Sequence, residues 1–398
     1  MWQKFKNKKV HMKKLVVLVV LHLLFFLQLS ANTVNVRILT TKVIRSFIFS
    51  PIVGGYTLVA DGNKLNDFDP TGIFQMTIEG SGIRLKTFEK DLGVFYNIKI
   101  VANEPQASFK IKSVVPQSKV RTYEGNIEVM LTADLGQFLL VNTVNMEHYI
   151  AGVVESEGGR GSNLEYYKIQ AILCRTYLLA QLNRHVQEGY EVCDDVHCQA
   201  YASKASEEDI IAAVLATKGL VVVDNNLNLI TAAFHSNCGG QTVNSEDVWA
   251  ISTSYLKSVK DTFCTSQSQA HWQRAISYED WKEYLVLKQK NSKNKSSEII
   301  TSFNQASGRV VYLQDKGYKI PLKNIRNDFK LKSTFFSLQQ NGDSITFKGR
   351  GYGHGVGLCQ EGAMAMAKRN YSYEYILHFY YKDVSLVDVS ALSYFRQE

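Results

Sequence analysis

The sequence predicts an α+β protein, with a strand-rich N-terminal region followed by a mixed α/β region. Three observations carry that reading. Short runs of period-two alternation recur between residues 34 and 131. Beyond Tyr149 the apolar residues return at helical spacing, and after residue 220 strand-like and helix-like runs alternate. Period two marks half-buried strands and a 3, 4 spacing marks a helix face, so the two halves differ in kind.

The first thirty-one residues are read as a signal peptide. Lys4, Lys6, Lys8, Lys9, Lys13 and Lys14 precede an apolar run from Leu15 to Leu29, which closes on the small residues Ser30 and Ala31. A basic start, a short apolar stretch and a small-residue site are the marks of a secretory leader, and an uncleaved membrane anchor is the alternative. Removing those six lysines leaves 39 basic against 37 acidic side chains, so the formal charge falls from +8 to about +2. The basic balance therefore reports targeting and not a nucleic-acid partner; neither a zinc-finger spacing nor a basic helix argues for one. Six cysteines in so long a chain do not make a disulfide scaffold, although export permits disulfides.

Residues 32–122 form the strand-rich region. Alternation appears in Val34–Leu39, Tyr56–Ala60, Ile73–Ile78, Val94–Ile100, Phe109–Lys112 and, just beyond, Ile127–Leu131, with turn signals at Asp61-Gly62 and Glu79-Gly80. This region holds no titratable cluster, and its expected role is scaffold or wall-binding module.

Tyr149 to Tyr201 is the stretch with the most chemistry. An apolar run, Ile150–Val154, leads to Glu155 and Glu157 and a Gly158-Gly159 turn. Ser162 stands three residues before Glu165 in capping-box spacing, so a helix is expected from Leu164 to about His185, with Leu164, Tyr167, Ala171, Cys174, Leu178 and Leu182 on one face. A carboxylate just before that start would lie near the positive end of the helix dipole. His185, Cys193, His197 and Cys198 then fall within fourteen residues. Structural zinc, a Cys193–Cys198 disulfide and free thiols are the three readings of that cluster.

Ser206 to Asp209 reads as a second helix cap, and Leu220–Val223 with Leu229–Phe234 as a hairpin. The polar turn that follows holds His235, Ser236, Asn237 and Gln241 around Gly239-Gly240, and Cys238 and Cys264 are a candidate disulfide. Trp249, Trp272 and Trp281, with Tyr255 and Tyr278, offer faces on which sugars stack, against the plainer reading as core. About 288–297 the chain is a polar insertion. G349-R-G351-Y-G353-H-G355-V-G357 places five glycines at a spacing of two, which in an extended strand leaves one face without side chains, so something must approach it closely. Helices are expected at Gln360–Lys368 and Ser372–Tyr381.

Seven blocks now stand in order: V153-V-E-S-E157, L164 to Y177, C193 to Y201, F234 to T242, N244 to W249, Y255 to V259, and G349 to A363. Together they resemble the SpoIID/LytB family, the stage II sporulation protein D and amidase-enhancer proteins, across a domain of residues 123–390. The family's E-M-P is here E157-G-G. The resemblance implies a SpoIID-like catalytic domain, an exported protein of the periplasm or cell envelope, and action on peptidoglycan glycan strands as a lytic transglycosylase. It places the catalytic acid at Glu157, a zinc site at His185, Cys193, His197 and Cys198, and substrate-binding residues at His235, Ser236, Gln241, His354 and Gln360. One carboxylic acid suffices for that chemistry, whereas hydrolysis needs two at a defined separation, for which Glu155 is too close in sequence. The family's other branch implies a non-catalytic amidase enhancer whose partner is a cell-wall amidase. A zinc hydrolase is the third reading.

Overall fold

The computed structural model describes residues 33–68, 71–132, 136–249, 251–289, 298–305, 308–315 and 317–395. The signal-peptide reading and most of the polar insertion fall outside them. The fold is α+β, as expected, and the chain divides into two compact units, residues 1–157 with 181–206 and residues 158–180 with 207–398.

The first unit is built on strands β1 (Thr33–Arg37), β2 (Ser46–Val53), β3 (Tyr56–Ala60), β4 (Asn63–Phe68), β5 (Phe74–Glu79), β6 (Gly82–Thr87), β7 (Asp91–Phe95), β8 (Ile98–Ala102), β9 (Ser108–Val115), β10 (Arg121–Glu124), β11 (Asn126–Leu131), β12 (Phe138–Asn145) and β13 (Val192–Cys193). They make two sheets, ordered β13-β1-β12-β11-β8-β3-β4 and β10-β9-β2-β5-β6-β7. Phe49 of one sheet meets Tyr56 of the other edge to face at 5.7 Å and stacks on Phe109 at 4.8 Å, so an aromatic core joins the sheets. The run expected at Val94–Ile100 is two strands, because the chain turns at Tyr96-Asn97, where both backbone N–H groups donate to Asp61.

A helix that the sequence reading missed follows. Helix α1 (Met146–Gly158) takes in the apolar run Ile150–Val154, and Asn145 caps it by accepting from the Glu147 N–H at 2.9 Å. Gly159, at φ 72°, ends it in the left-handed conformation that a side chain resists. Glu157 therefore lies in the last turn of a helix, at the negative end of its dipole, and not just before a helix start. Helical rotation of about 100° per residue also sends Glu155 and Glu157 to opposite faces.

In the second unit, α2 (Leu164–Gln181) is buried on most sides, so the single apolar stripe understated it. Its cap is Asn163, which accepts from the Glu165 N–H at 2.9 Å, and not Ser162. The helix ends before His185. Buried Arg175 donates to the carbonyl oxygens of Leu220 and Val214, tying α2 to β14 (Leu220–Asp224) and α3 (Glu208–Ala216). The N-cap of α3 is Glu207, without a side-chain cap, which corrects the reading of Ser206. The expected hairpin reduces to one bridge, Val223 to Leu229. The strand partner of β14 lies 160 residues on, a pairing no local signal announces.

The remaining elements are β15 (Phe234–His235), α4 (Glu246–Trp249), β16 (His271–Ser277), α5 (Tyr278–Gln289), β17 (Ser302–Phe303), β18 (Tyr312–Asp315), β19 (Tyr318–Pro321), α6 (Leu322–Asp328), β20 (Phe336–Asn341), β21 (Ser344–Arg350), β22 (Leu358–Cys359), α7 (Gln360–Ala367), α8 (Tyr373–Tyr380), β23 (Val384–Asp388) and α9 (Val389–Phe395). Trp281 is fully buried in the core over the β16-β21-β20-β17 sheet, with Trp272 packed against it, so these two rings are core and not sugar platforms.

The glycine run is not an extended strand. Regular structure stops at Arg350, and Gly351, Gly353, Gly355 and Gly357 all have positive φ. The close approach it implied is real, however. A Cβ on Gly351 would stand 2.5 Å from the Asn237 carbonyl oxygen, and one on Gly357 2.1 Å from that of Ala233, so the run threads against the chain's own backbone.

Candidate functional site

Glu157 is half-buried, and its Oε1 accepts a 2.8 Å hydrogen bond from the Ala200 backbone N–H. Burial raises its carboxyl above the usual range, and the Ala200 bond opposes that in part. The contact belongs to a zipper. Ser156 Oγ accepts from the Ala202 N–H at 3.0 Å, and Glu155 accepts from the Ser206 N–H at 2.8 Å, so three successive residues of α1 grip one loop.

That loop begins at the His/Cys cluster. Cys198 Sγ lies 3.5 Å from His185 Nε2 and 3.7 Å from His197 Nδ1, and Cys193 Sγ lies 3.8 Å from His197 Nδ1. With zinc bonds of about 2.3 Å to sulfur and 2.0–2.1 Å to nitrogen, neighbouring ligand atoms of a tetrahedron stand roughly 3.5–3.8 Å apart. Those three separations fall in that range, and all four ligand atoms lie within 4.8 Å of one another, so the donor types and spacing are compatible with a tetrahedral site. His185 also places Nδ1 2.6 Å from Glu188 Oε1, the outer carboxylate contact that fixes a ligating imidazole. Cys198, the Asp195 N–H and His197 hold the Cys193 thiol down to about 5, while Cys193 and burial push the Cys198 thiol up, so the two sulfurs share a proton between them.

Asp194, which the sequence reading passed over, fastens this loop. Its buried carboxylate accepts from the Leu39 N–H at 2.6 Å, the Thr40 N–H at 3.1 Å and Arg121 at 2.9 Å. Cys193 itself pairs with Arg37 in the first sheet. Sheet, cluster and acid form one connected chain of contacts.

The second unit gathers the other expected residues. His354 lines a cleft with Arg326, Arg309, Glu246, Asp247 and Tyr312. Its ring is 5.3 Å from that of Trp249, which is 40% exposed and thus the tryptophan of the three with a face for a ligand. His354 Nδ1 accepts from the Val356 N–H, and burial, helped by Arg326, pushes the imidazole down to about 4. It is neutral at physiological pH. His235 is only 4% exposed, hydrogen-bonds the Val356 carbonyl through Nδ1 and is driven well below its usual range by burial and by His354. Ser236 accepts from the Glu361 N–H through its carbonyl, and the Gln241 carbonyl accepts from Arg309 Nε at 2.7 Å. Gln360 opens α7 and is buried. Of the five residues, His354 lines the cleft, while His235 and Gln360 lie beneath the surface.

The description Stage II sporulation protein matches residues 134–223, and a domain of unknown function matches residues 242–357. Stage II sporulation protein D of Bacillus subtilis is 30% identical over 268 residues, 63% of this chain and 77% of that protein. This chain belongs to the stage II sporulation protein D family. An uncharacterized protein of Brachyspira hyodysenteriae is 29% identical over 64% of this chain and 70% of its own length. The amidase enhancer of Bacillus subtilis is 28% identical over 60% of this chain but only 40% of its own. Within the SpoIID-family match 134–223 lie α1, Glu157, the His/Cys cluster and the loop to Ser206.

One glycine of this SpoIID-family protein deserves its place by packing alone. Gly152 sits in the middle of α1, where glycine costs about 1 kcal/mol relative to alanine. A Cβ there would stand 2.4 Å from the Tyr201 ring and 2.5 Å from the Ser203 carbonyl oxygen. Gly152→Ala is expected to lower stability by about 1–2 kcal/mol in urea denaturation despite the gain in helix propensity, because the loop beyond Ala200 must shift. An unchanged or raised midpoint would mean that the loop yields freely.

Proposed function

We propose that this is an exported, peptidoglycan-acting protein of the cell envelope that cleaves denuded glycan strands by lytic transglycosylation, with Glu157 as general acid and then base. The observation that carries the reading is the placement of Glu157: it is half-buried at the end of α1 and accepts the Ala200 N–H, and burial raises its carboxyl above the usual range. Export rests on the lysine-rich start and apolar run of the first thirty-one residues.

Protonation of the glycosidic oxygen by Glu157 lets the bond to the muramoyl anomeric carbon break. The resulting carboxylate then takes the proton of the muramoyl 6-hydroxyl as that oxygen closes on the same carbon, leaving a 1,6-anhydro end. No water enters, so no second carboxylate is needed, and Glu155 is occupied by the Ser206 N–H on the opposite helix face. His185, Cys193, His197 and Cys198 would hold a zinc ion whose four protein ligands make it structural, with no position open for a hydrolytic water. Their task is to fix the loop that presents the Ala200 N–H. Taken by itself, the second unit has a cleft in which His354 and the exposed face of Trp249 could meet a sugar, with His235, Ser236, Gln241 and Gln360 belonging to that unit's own framework. Incubation of the mature protein with denuded strands is expected to release anhydro-muramoyl products detectable by mass spectrometry. Intact strands after prolonged incubation would exclude the activity.

The match to an amidase enhancer favours a second reading, in which the protein binds the wall and stimulates a cell-wall amidase without cutting glycan. Faster stem-peptide release by an added amidase, with no new strand ends, would select it.

A further inference from the structure

The second unit contains a second convergence of metal-ligating side chains, separate from the His/Cys cluster. Cys238, Asp261, Cys264 and Cys359 come from three distant segments, and their ligand atoms all lie within 4.8 Å of one another. Cys238, Cys264 and Asp261 are fully buried, and so is Cys359. We propose that these four residues bind a zinc ion at a closed, structural Cys3Asp site.

Cys238 Sγ stands 3.3 Å from Cys264 Sγ and 3.3 Å from Asp261 Oδ2. These spacings are a few tenths of an ångström inside the edges of a tetrahedron about zinc, roughly 3.5–3.8 Å, a difference that side-chain rotation takes up. Three thiolates and one carboxylate suit zinc better than hard cations such as calcium or magnesium.

The surroundings orient the donors. The Phe263 N–H donates to Asp261 Oδ1 at 2.8 Å, and the Tyr380 hydroxyl donates to Oδ2 at 2.9 Å, so the carboxylate is fixed with Oδ2 towards the sulfurs. The Cys238 N–H points at Cys359 Sγ at 3.2 Å. Gly362 makes room: a Cβ there would lie 2.3 Å from Asp261 Oδ2 and 2.2 Å from the Tyr380 hydroxyl. The Arg309 guanidinium donates to the Cys238 carbonyl at 2.6 Å and offsets the negative charge of the set.

A Cys238–Cys264 disulfide is the rival, and it satisfies the site poorly. It would remove the thiol donor facing Asp261 Oδ2 and leave the Cys359 thiol and a carboxylate buried beside a neutral sulfur pair. Zinc satisfies all four. The bound ion would pin β15 to β22, the parallel pair that carries His235 and leads into Gln360.

The test uses the full mature protein. An anomalous difference map at the zinc edge from wild-type crystals is expected to show a peak within bonding distance of all four side chains. In solution, the Cys193→Ser/Cys198→Ser variant is expected to keep one zinc per chain and four alkylatable thiols after denaturation without reductant. Adding Cys264→Ser should weaken zinc retention at least tenfold. The map does not depend on any variant folding. Continuous Cys238–Cys264 sulfur density, two thiols missing from the alkylation count, or no peak at the site would overturn the proposal.

Discussion

Glu157→Gln is expected to lower the rate of anhydro-end formation by about 10²–10⁴-fold while leaving the fold intact, because glutamine keeps an oxygen for the Ala200 N–H but cannot deliver a proton. The wild-type pH profile should follow the acid. A carboxyl whose folded pKa is raised stays protonated above the ordinary glutamate range, so activity persists past that range and falls as pH rises through the raised value. The variant should show no such limb on its residual rate. Circular dichroism and strand pull-down on the same preparation separate lost chemistry from lost structure or binding.

Loss of the His/Cys cluster should have the next largest effect. Chelation, or Cys198→Ser, is expected to destabilise the first unit by about 3 kcal/mol or more. That is well below the 10–16 kcal/mol of zinc-finger peptides, because this unit retains its own aromatic core. The corresponding fall in melting temperature is about 6–12 °C. Activity should fall with it, since the loop from Cys198 to Ala200 presents the N–H on Glu157. Restored zinc should recover both in the chelated wild type. A metal-free wild-type protein with an unshifted melting temperature would remove zinc from the account.

The sequence disclosed some of this and hid the rest for physical reasons. Alternation marks about half of the N-terminal strands and leaves β2, β4, β6, β10 and β12 unmarked. Pro51 interrupts β2 at a bulge, and the charged β4 lies at a sheet edge, so neither alternates cleanly. The run Ile150–Val154 cannot distinguish a buried helix from a strand by period alone, and Asn145 was the cap that would have decided it. The His/Cys spacing is legible because its four side chains sit within fourteen residues. The Cys3Asp set is not, because its members are up to 121 residues apart and only the fold brings them together. His235 reads as a polar-turn residue and, by the resemblance, a substrate contact, and nothing local foretells that the glycine run buries it.

The central claim is that one sheltered carboxylic acid breaks the sugar–sugar bond with the sugar's own hydroxyl as nucleophile. The most direct measurement digests denuded strands in water labelled with heavy oxygen, using wild type and Glu157→Gln, and weighs the new ends. Unlabelled anhydro ends from wild type and almost none from the variant are the expected result; labelled reducing ends, or equal yields from both proteins, would contradict it.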